Sequence, residues 1–356
     1  MNPFTYQSLP SRVVFAPGAL SRLGDEIEGL GARSALVLCT PPQRESAEEV
    51  ARLLDNRVAG IFDKAEMHVP IETAEEARRV AAEVGADCCV AIGGGSTIGL
   101  GKAIALTSSL PILAIPTTFA GSEMTSIFGL TEKGVKRTGR DLRVLPKTVI
   151  YDPLLVATLP PLVGATSGMN AIAHSVEALY AQDQNPIISL MAEESIRALA
   201  ASLPRFVADP ADPEAASDCL YGAWLAGACL GAVGMALHHK LCHTLGGSFN
   251  LPHAEMHTAV LPHSVAYNRQ AAPEAMARVS RALGGADPAA GLYDLAKSLG
   301  APMALADLGM PESGLERAAQ LATENPYFNP RPVERTAILQ LLRDAQAGRR
   351  PEPIPA

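Results

Sequence analysis

The sequence predicts two units: an N-terminal α/β domain with a mostly parallel sheet, over residues 1–158, and an all-helical domain over 159–356. Three observations carry this. Short apolar runs alternate with amphipathic stretches through the first 150 or so residues, the pattern of a doubly wound sheet. Strand patterns stop after Pro161, where alanine and leucine dominate and helical periods run on. One apolar run opens into a triple-glycine turn that leads straight into a helix.

Taken in order, VVFA (13–16) reads as a short strand, and Leu20, Leu23, Ile27 and Leu30 give helical spacing over 18–30. SALVLC (34–39) is a buried parallel strand, 44–54 a helix and VAGIFD (58–63) a strand. Thr73–Val84 is an amphipathic helix, CCVAIGGGS (88–96) a strand with its turn, Thr97–Ser108 a helix and PILAIPTT (111–118) a strand. EKGVKRTGRDLR (132–143) is a solvated hairpin or loop, and TVIYDP (148–153) is the last strand. After LPP (159–161), helices are expected at 164–182, 186–208, 213–245, 273–283, 289–300, 315–324 and 331–347. The Pro-rich tail GRRPEPIPA is expected to fray.

Composition excludes several function classes. The chain has 356 residues, 48% hydrophobic and 19% charged, with a net charge of −8. An acidic chain without a basic stripe argues against nucleic acid. No apolar run approaches the roughly 20 residues of a membrane span, and the N-terminus lacks the order of a signal peptide. The six cysteines form no CxxC pair, as expected of reduced, buried thiols in a cytoplasmic protein.

Two regions carry chemistry. In AIGGGSTIGLGKAIAL (91–106), Gly93, Gly94 and Gly95 let the backbone approach a ligand, Ser96 offers a hydroxyl, and the following helix offers free N–H groups to a pyrophosphate. PTTFAGSEMT (116–125) follows the next strand, so Thr117, Thr118 and Ser122 are expected to line the same dinucleotide site. The end of the 34–39 strand carries Cys39, Thr40 and Pro41 with no acidic residue for a ribose hydroxyl, which leaves NADH and NADPH both open. The second region is HHKLCHTLGGSFNLPHAEMH (238–257). His239 and His243 share a helix face, His253 follows Pro252, and upstream Asn170 and His174 form another i,i+4 pair. Three imidazoles and one oxygen group suit a catalytic divalent metal, but Asn170 is a poor ligand. His68, His238, His257 and His263 read as structural or surface residues.

GGGS (93–96), PTTFAGSE (116–123), GMNAIAH (168–174) and HHKLCHTLGG…LPH (238–253) resemble the iron-containing (group III) alcohol dehydrogenase family over essentially the whole chain. That resemblance implies the dehydroquinate synthase-like fold, a nicotinamide cofactor in a cleft between the two domains, and a homodimer. It places the family's metal-ligand positions on Asn170, His174, His239 and His253, and puts His243 near the nicotinamide. Asn170 stands where the family has Asp, Gly99 departs from GGGSxxD, and PTTFAGSE is one residue shorter than the family's PTTAGTGSE. With the block from Trp224 to His263 and ENPYFNPRPV, these departures resemble the maleylacetate reductase branch. Its members reduce the carbon–carbon double bond of maleylacetate to 3-oxoadipate and are generally regarded as not requiring metal. On that basis His243 is expected as the leading donor or acid. His174, His239 and His253 would hold carboxylate and enolate oxygens, and Asn170 would orient His174 or donate an N–H. The alternatives are a metal-dependent alcohol or aldehyde oxidoreductase on the same fold and a non-catalytic nucleotide-binding protein. Pairing of the 13–16 strand across a two-fold axis would make the dimer.

Overall fold

A computed structural model describes residues 4–9, 11–132 and 135–352. The chain divides into two compact units, Ser8–Leu159 and Pro160–Ala356, with the residues up to Gln7 grouped with the second.

The first unit is a six-stranded sheet in which every pairing is parallel. Its strands are β1 (Arg12–Phe15), β2 (Ala35–Leu38), β3 (Val58–Phe62), β4 (Cys88–Gly93), β5 (Ile112–Pro116) and β8 (Thr148–Tyr151), in the order β1-β8-β5-β4-β2-β3. The helices are α1 (Leu23–Gly29), α2 (Arg44–Leu54), α3 (Ile71–Glu83) and α4 (Gly95–Ser108). Every residue of β2, β4, β5 and β8 is buried, which explains why these strands read as continuous apolar runs rather than alternating ones. From β2 the chain steps to β3 on one side and returns to β4 on the other. The carboxyl ends of β2 and β4 therefore flank the topological switch point, where open α/β sheets bind ligands. Pairing of Gly93 with Pro116 brings the loops after β4 and β5 side by side. The 132–143 stretch falls in an antiparallel ribbon of β6 (Ile127–Glu132) and β7 (Val135–Arg140), the hairpin expected; residues 133–134 lie outside the described residues.

The second unit is helical: α5 (Pro161–Ala178), α6 (Pro186–Ala208), α7 (Pro213–Ala232), α8 (Leu237–Phe249), α9 (His253–Asn268), α10 (Pro273–Ala282), α11 (Pro288–Ser298), α12 (Leu315–Thr323) and α13 (Arg335–Gln346). Proline in the first turn starts α5, α6, α7, α10 and α11, where its missing N–H costs nothing. Asn185, Asp212 and Asp287 cap three of these with side-chain oxygens on the first backbone N–H groups. Small residues let the helices close up. A Cβ on Gly168 would lie 2.4 Å from Leu203 Cδ2, and one on Gly222 would lie 2.6 Å from Leu199 Cγ.

Three expectations are corrected here. The single helix expected over 213–245 is two, α7 and α8, bent by 93°. Val233 is extended, Gly234 N–H donates to Asp183 Oδ1 at 2.9 Å, and the next turn is capped by a carboxylate from another helix. The helix α9 went unread, because Pro262 sits inside it and its histidines blur the apolar period. The tail does not fray through 352: Arg350 pairs with Asp294 at 2.7 Å, Arg269 donates to Glu352 O at 2.6 Å and Pro351 is buried. The rest of the tail, 353–356, lies outside the described residues.

The close α6–α7 packing gives a stability test. Gly222→Ala inserts a methyl against Leu199, including its backbone N at 3.3 Å. It should lower the unfolding free energy by about 1–3 kcal/mol, read from the urea midpoint.

Candidate functional site

The first unit gathers three loops at the switch point. Thr40, after β2, donates its hydroxyl to Gln43 Oε1 at 3.0 Å, and Gln43 Nε2 donates to Thr117 Oγ1, after β5, at 2.8 Å. Thr117 N–H donates to Gly93 O at 3.1 Å. Gly93 has φ 151°, a region closed to other residues, and a Cβ there would meet Thr97 Oγ1 at 2.5 Å and Gln43 Oε1 at 2.7 Å. A Cβ on Gly94 would meet Thr118 Cγ2 at 3.0 Å. Helix α4 starts at exposed Gly95 with no side-chain cap, so its first N–H groups and Ser96 face outward at a positive helix end. Glycines without Cβ, an uncapped helix and hydroxyls from two loops fit a dinucleotide pyrophosphate. Sequence reasoning missed Gln43, the side chain that ties the loop after β2 to the loop after β5.

The second unit builds a histidine cluster. Asn170 and His174 lie one turn apart on α5, both buried. His174 Nδ1 and His239 Nε2, from α8, share a hydrogen bond of 2.8 Å. His239 Nδ1 meets Glu177 Oε2 at 2.7 Å. A carboxylate only accepts, so Glu177 fixes the proton of His239 on Nδ1. The same carboxylate accepts the backbone N–H of Ala236 at 2.7 Å and of His238 at 2.6 Å, so it caps α8 from outside and sets the corner after α7. His243 lies one turn past His239, ring centroids 6.1 Å apart, and its Nδ1 meets the Tyr327 hydroxyl at 3.0 Å. Burial raises the Tyr327 phenol, aided by Glu177, which keeps it protonated. Lys240 Nζ lies 5.7 Å from the centroid of the same ring. His253 opens α9, its ring centroid 4.3 Å from that of His257 and the two rings tilted by 52°.

Two histidines read from the sequence as structural belong to this cluster. His238 and His257 are fully buried, bonded Nε2 to Nδ1 at 3.0 Å, and the His257 ring lies 5.1 Å from that of His239. The pair His253–His257 has i,i+4 spacing, but only on a helix, and α9 was the helix not read. Glu177 was also readable in principle, since it lies three residues after His174 and seven after Asn170 on one face.

A neutral donor set holds a divalent ion less tightly than one with a ligand carboxylate. The four inherited ligand positions carry three imidazoles and an amide, with no negative charge among them. The cluster's carboxylate, Glu177, is spent on an imidazole N–H and helix amides. Asn170 Oδ1 is buried without a hydrogen-bond partner. A second trio, His238, Cys242 and His257, has ligand atoms within 4.8 Å of one another, yet all three are buried and desolvation holds the Cys242 thiol well above its ordinary value.

Two predictions follow from this geometry. Glu177→Gln leaves the shape but offers an amide in place of the carboxylate, and turnover should fall by about 10²-fold or more with the far-UV circular dichroism retained. The second concerns acid. Desolvation drives His238 and His257 well below the ordinary histidine value and His263 to about 4. The unfolded chain then binds protons, from about pH 6.5 downward, that the folded chain refuses. Stability should be level above that pH and fall as pH drops through it, and His263→Gln should flatten part of the slope in urea midpoints between pH 7 and 5.

Family models match the chain in both units. The iron-containing alcohol dehydrogenase model matches residues 10–153, and the C-terminal model of the Fe-containing alcohol dehydrogenase family matches 164–346. The chain is 61% identical to a maleylacetate reductase of Burkholderia cepacia, covering 99% of this chain and 100% of that one. It is 59% identical to that of Sphingobium indicum, covering 97% and 98%. The crystal structure of a maleylacetate reductase from Agrobacterium tumefaciens superposes with a TM-score of 0.95 at 52% identity, over 99% of this chain and 100% of that one. The chain belongs to the iron-containing alcohol dehydrogenase family, and within it to the group of the maleylacetate reductases.

Proposed function

We propose that this protein reduces the carbon–carbon double bond of maleylacetate to 3-oxoadipate. The observation that carries the reading is the neutral donor set: Asn170 with His174, His239 and His253, braced by Glu177 from behind. It is joined by full-length similarity to maleylacetate reductases. Three imidazoles and an amide suit a dicarboxylate better than a site with its own ligand carboxylate would, because no carboxylate stands among these four side chains to oppose the substrate's two.

Gly93, Gly94, Gly95, Ser96, Thr40, Thr117, Thr118 and Ser122 would hold NADH or NADPH at the switch-point loops, and the bound cofactor would supply hydride to the alkene carbon beta to the ketone. The double-bond electrons would then collect on the ketone oxygen as an enolate, and this chain's residues must hold that charge. An N–H donor stabilises charge where it develops. His174 and His253 take the carboxylate and enolate oxygens, His239 acts behind His174 because its own two nitrogens are engaged by Glu177 and His174, and Asn170 offers its amide N–H. The enolate then collapses as the adjacent carbon takes a proton. His243 is the proposed acid: with the phenol of Tyr327 donating to Nδ1, Nε2 carries the proton. The reading needs no metal. We also propose a cytoplasmic homodimer; β1 is an edge strand, paired on one side to β8, and all six cysteines are free and buried. No single helix among the described residues is long and apolar enough to cross a membrane.

The test is maleylacetate-dependent oxidation of NADH and of NADPH by protein treated with EDTA, with metal analysis of the same sample. Retained turnover is expected, with His243→Gln lowering kcat by about 10²-fold. Turnover lost on chelation and restored by a divalent ion would favour a metal-dependent alcohol or aldehyde oxidoreductase, and absence of any turnover would sink the catalytic reading.

A further inference from the structure

Lys102 is a charged side chain with no surface. It lies in the middle of α4, is 1% exposed, and takes no part in the chemistry described above. Its Nζ donates to Ser122 O at 2.7 Å, Thr125 O at 2.9 Å, Thr125 Oγ1 at 2.9 Å and Ile127 O at 2.8 Å. All four acceptors belong to one stretch, the second half of the loop after β5. The first half of that loop is Thr117, Thr118 and the residues up to Ser122.

We propose that Lys102 is the positioning residue of the nucleotide loop, an internal ammonium that fastens 122–127 to the helix whose N-terminus receives the pyrophosphate. This rests on the placement of the cofactor at these loops. The carbonyls of Ser122, Thr125 and Ile127 converge because a turn at Ser122–Met124 aims them inward, and three converging carbonyls repel one another unless a cation sits among them. No ordered ladder holds this loop, since β5 ends at Pro116 and the ribbon starts at Ile127. The ammonium therefore replaces the backbone pairing the loop lacks.

Two neighbours complete the arrangement. Glu123 is fully buried, and Tyr151 from β8 donates its hydroxyl to Glu123 Oε1 at 2.8 Å. Burial lowers the Lys102 ammonium to about 7, and Glu123, in the same loop, opposes that shift while burial raises its own carboxyl. Helix α4, the loop and β8 are thus joined through one buried cation and one buried carboxyl. The phosphate end of α4 and the hydroxyls of Thr117, Thr118 and Ser122 are set relative to one another by this pair, without either touching the ligand.

A positioning role predicts a split between binding and turnover. Lys102→Met keeps the length of the stem and removes the charge. It should weaken binding of NADH, or of whichever nicotinamide the wild type prefers, by about ten-fold or more, while kcat at saturating cofactor stays within about three-fold. Thr125→Val removes one acceptor with the chain's charge intact and should shift the same dissociation constant in the same direction by a smaller factor. Both are read by titrating cofactor fluorescence in the folded variant, with circular dichroism as the fold check. If Lys102→Met does not fold, Thr125→Val decides alone. An unchanged dissociation constant in a folded variant overturns the proposal, as does a loss confined to kcat. Failure of the wild-type chain to bind either nicotinamide would instead remove the cofactor placement on which the proposal stands.

Discussion

The histidine cluster depends on one buried carboxylate. Glu177 has a side chain with 0% exposure and sits among helices where an unpaired charge would be very costly. It is tolerated because its oxygens are saturated: helix amides of α8 on both, and an imidazole N–H on one. Each bond has a structural consequence. The amides set where α8 begins and therefore the 93° corner after α7. The imidazole bond fixes which nitrogen of His239 carries its proton and which points at His174. Position and protonation of the cluster come from the same two oxygens.

The first unit solves the converse problem. There a buried cation, Lys102, gathers carbonyl oxygens, where Glu177 gathers amide hydrogens. In each case an ion that would be expensive alone is matched to backbone groups that secondary structure leaves unpaired. Irregular backbone can then run through a packed region: the turn after β5 in one unit, the break between α7 and α8 in the other. Both irregular segments sit beside the residues assigned to function. A regular helix or strand there would need no ion, and would also present no loop.

What was legible in the sequence follows from which forces are local. The buried strands β2, β4 and β5 announced themselves as apolar runs, and α6 was read with its bounds because Asn185 and Pro186 mark its start by chain-local chemistry. The glycines of 93–95 stand out from the turn alone, and the contacts a Cβ would make supply the steric reason at Gly93 and Gly94. The break at 233–236 was not legible. Its cause, Glu177, lies 59 residues from Ala236, and no window of periodicity contains both. The same gap hid the roles of His238 and His257. Their partners are one another and Ser264, which takes His238 Nδ1 at 3.2 Å, across two helices of which only one had been read. Gln43 escaped for the same reason, since the threonines it bridges belong to different strands.

The replacement of a ligand carboxylate by Asn170 acquires a clearer meaning beside Glu177. The site has not lost its negative charge; it keeps one behind the imidazoles instead of among them. With Nδ1 of His239 donating to Glu177, a neutral His239 offers Nε2 as an acceptor, so His174 must donate from Nδ1. One proton added to this chain of two rings reverses the shared bond and turns the far nitrogen of His174 into a donor. The added positive charge then lies next to a carboxylate already in place to cancel it. On the proposed reading, a dianionic substrate supplies the field that draws in that proton. A carboxylate at position 170 would compete for the same donors from the substrate's own side. On the proposed reading, moving the charge one ring back leaves imidazoles, rather than a carboxylate, on the side that meets an anionic enone.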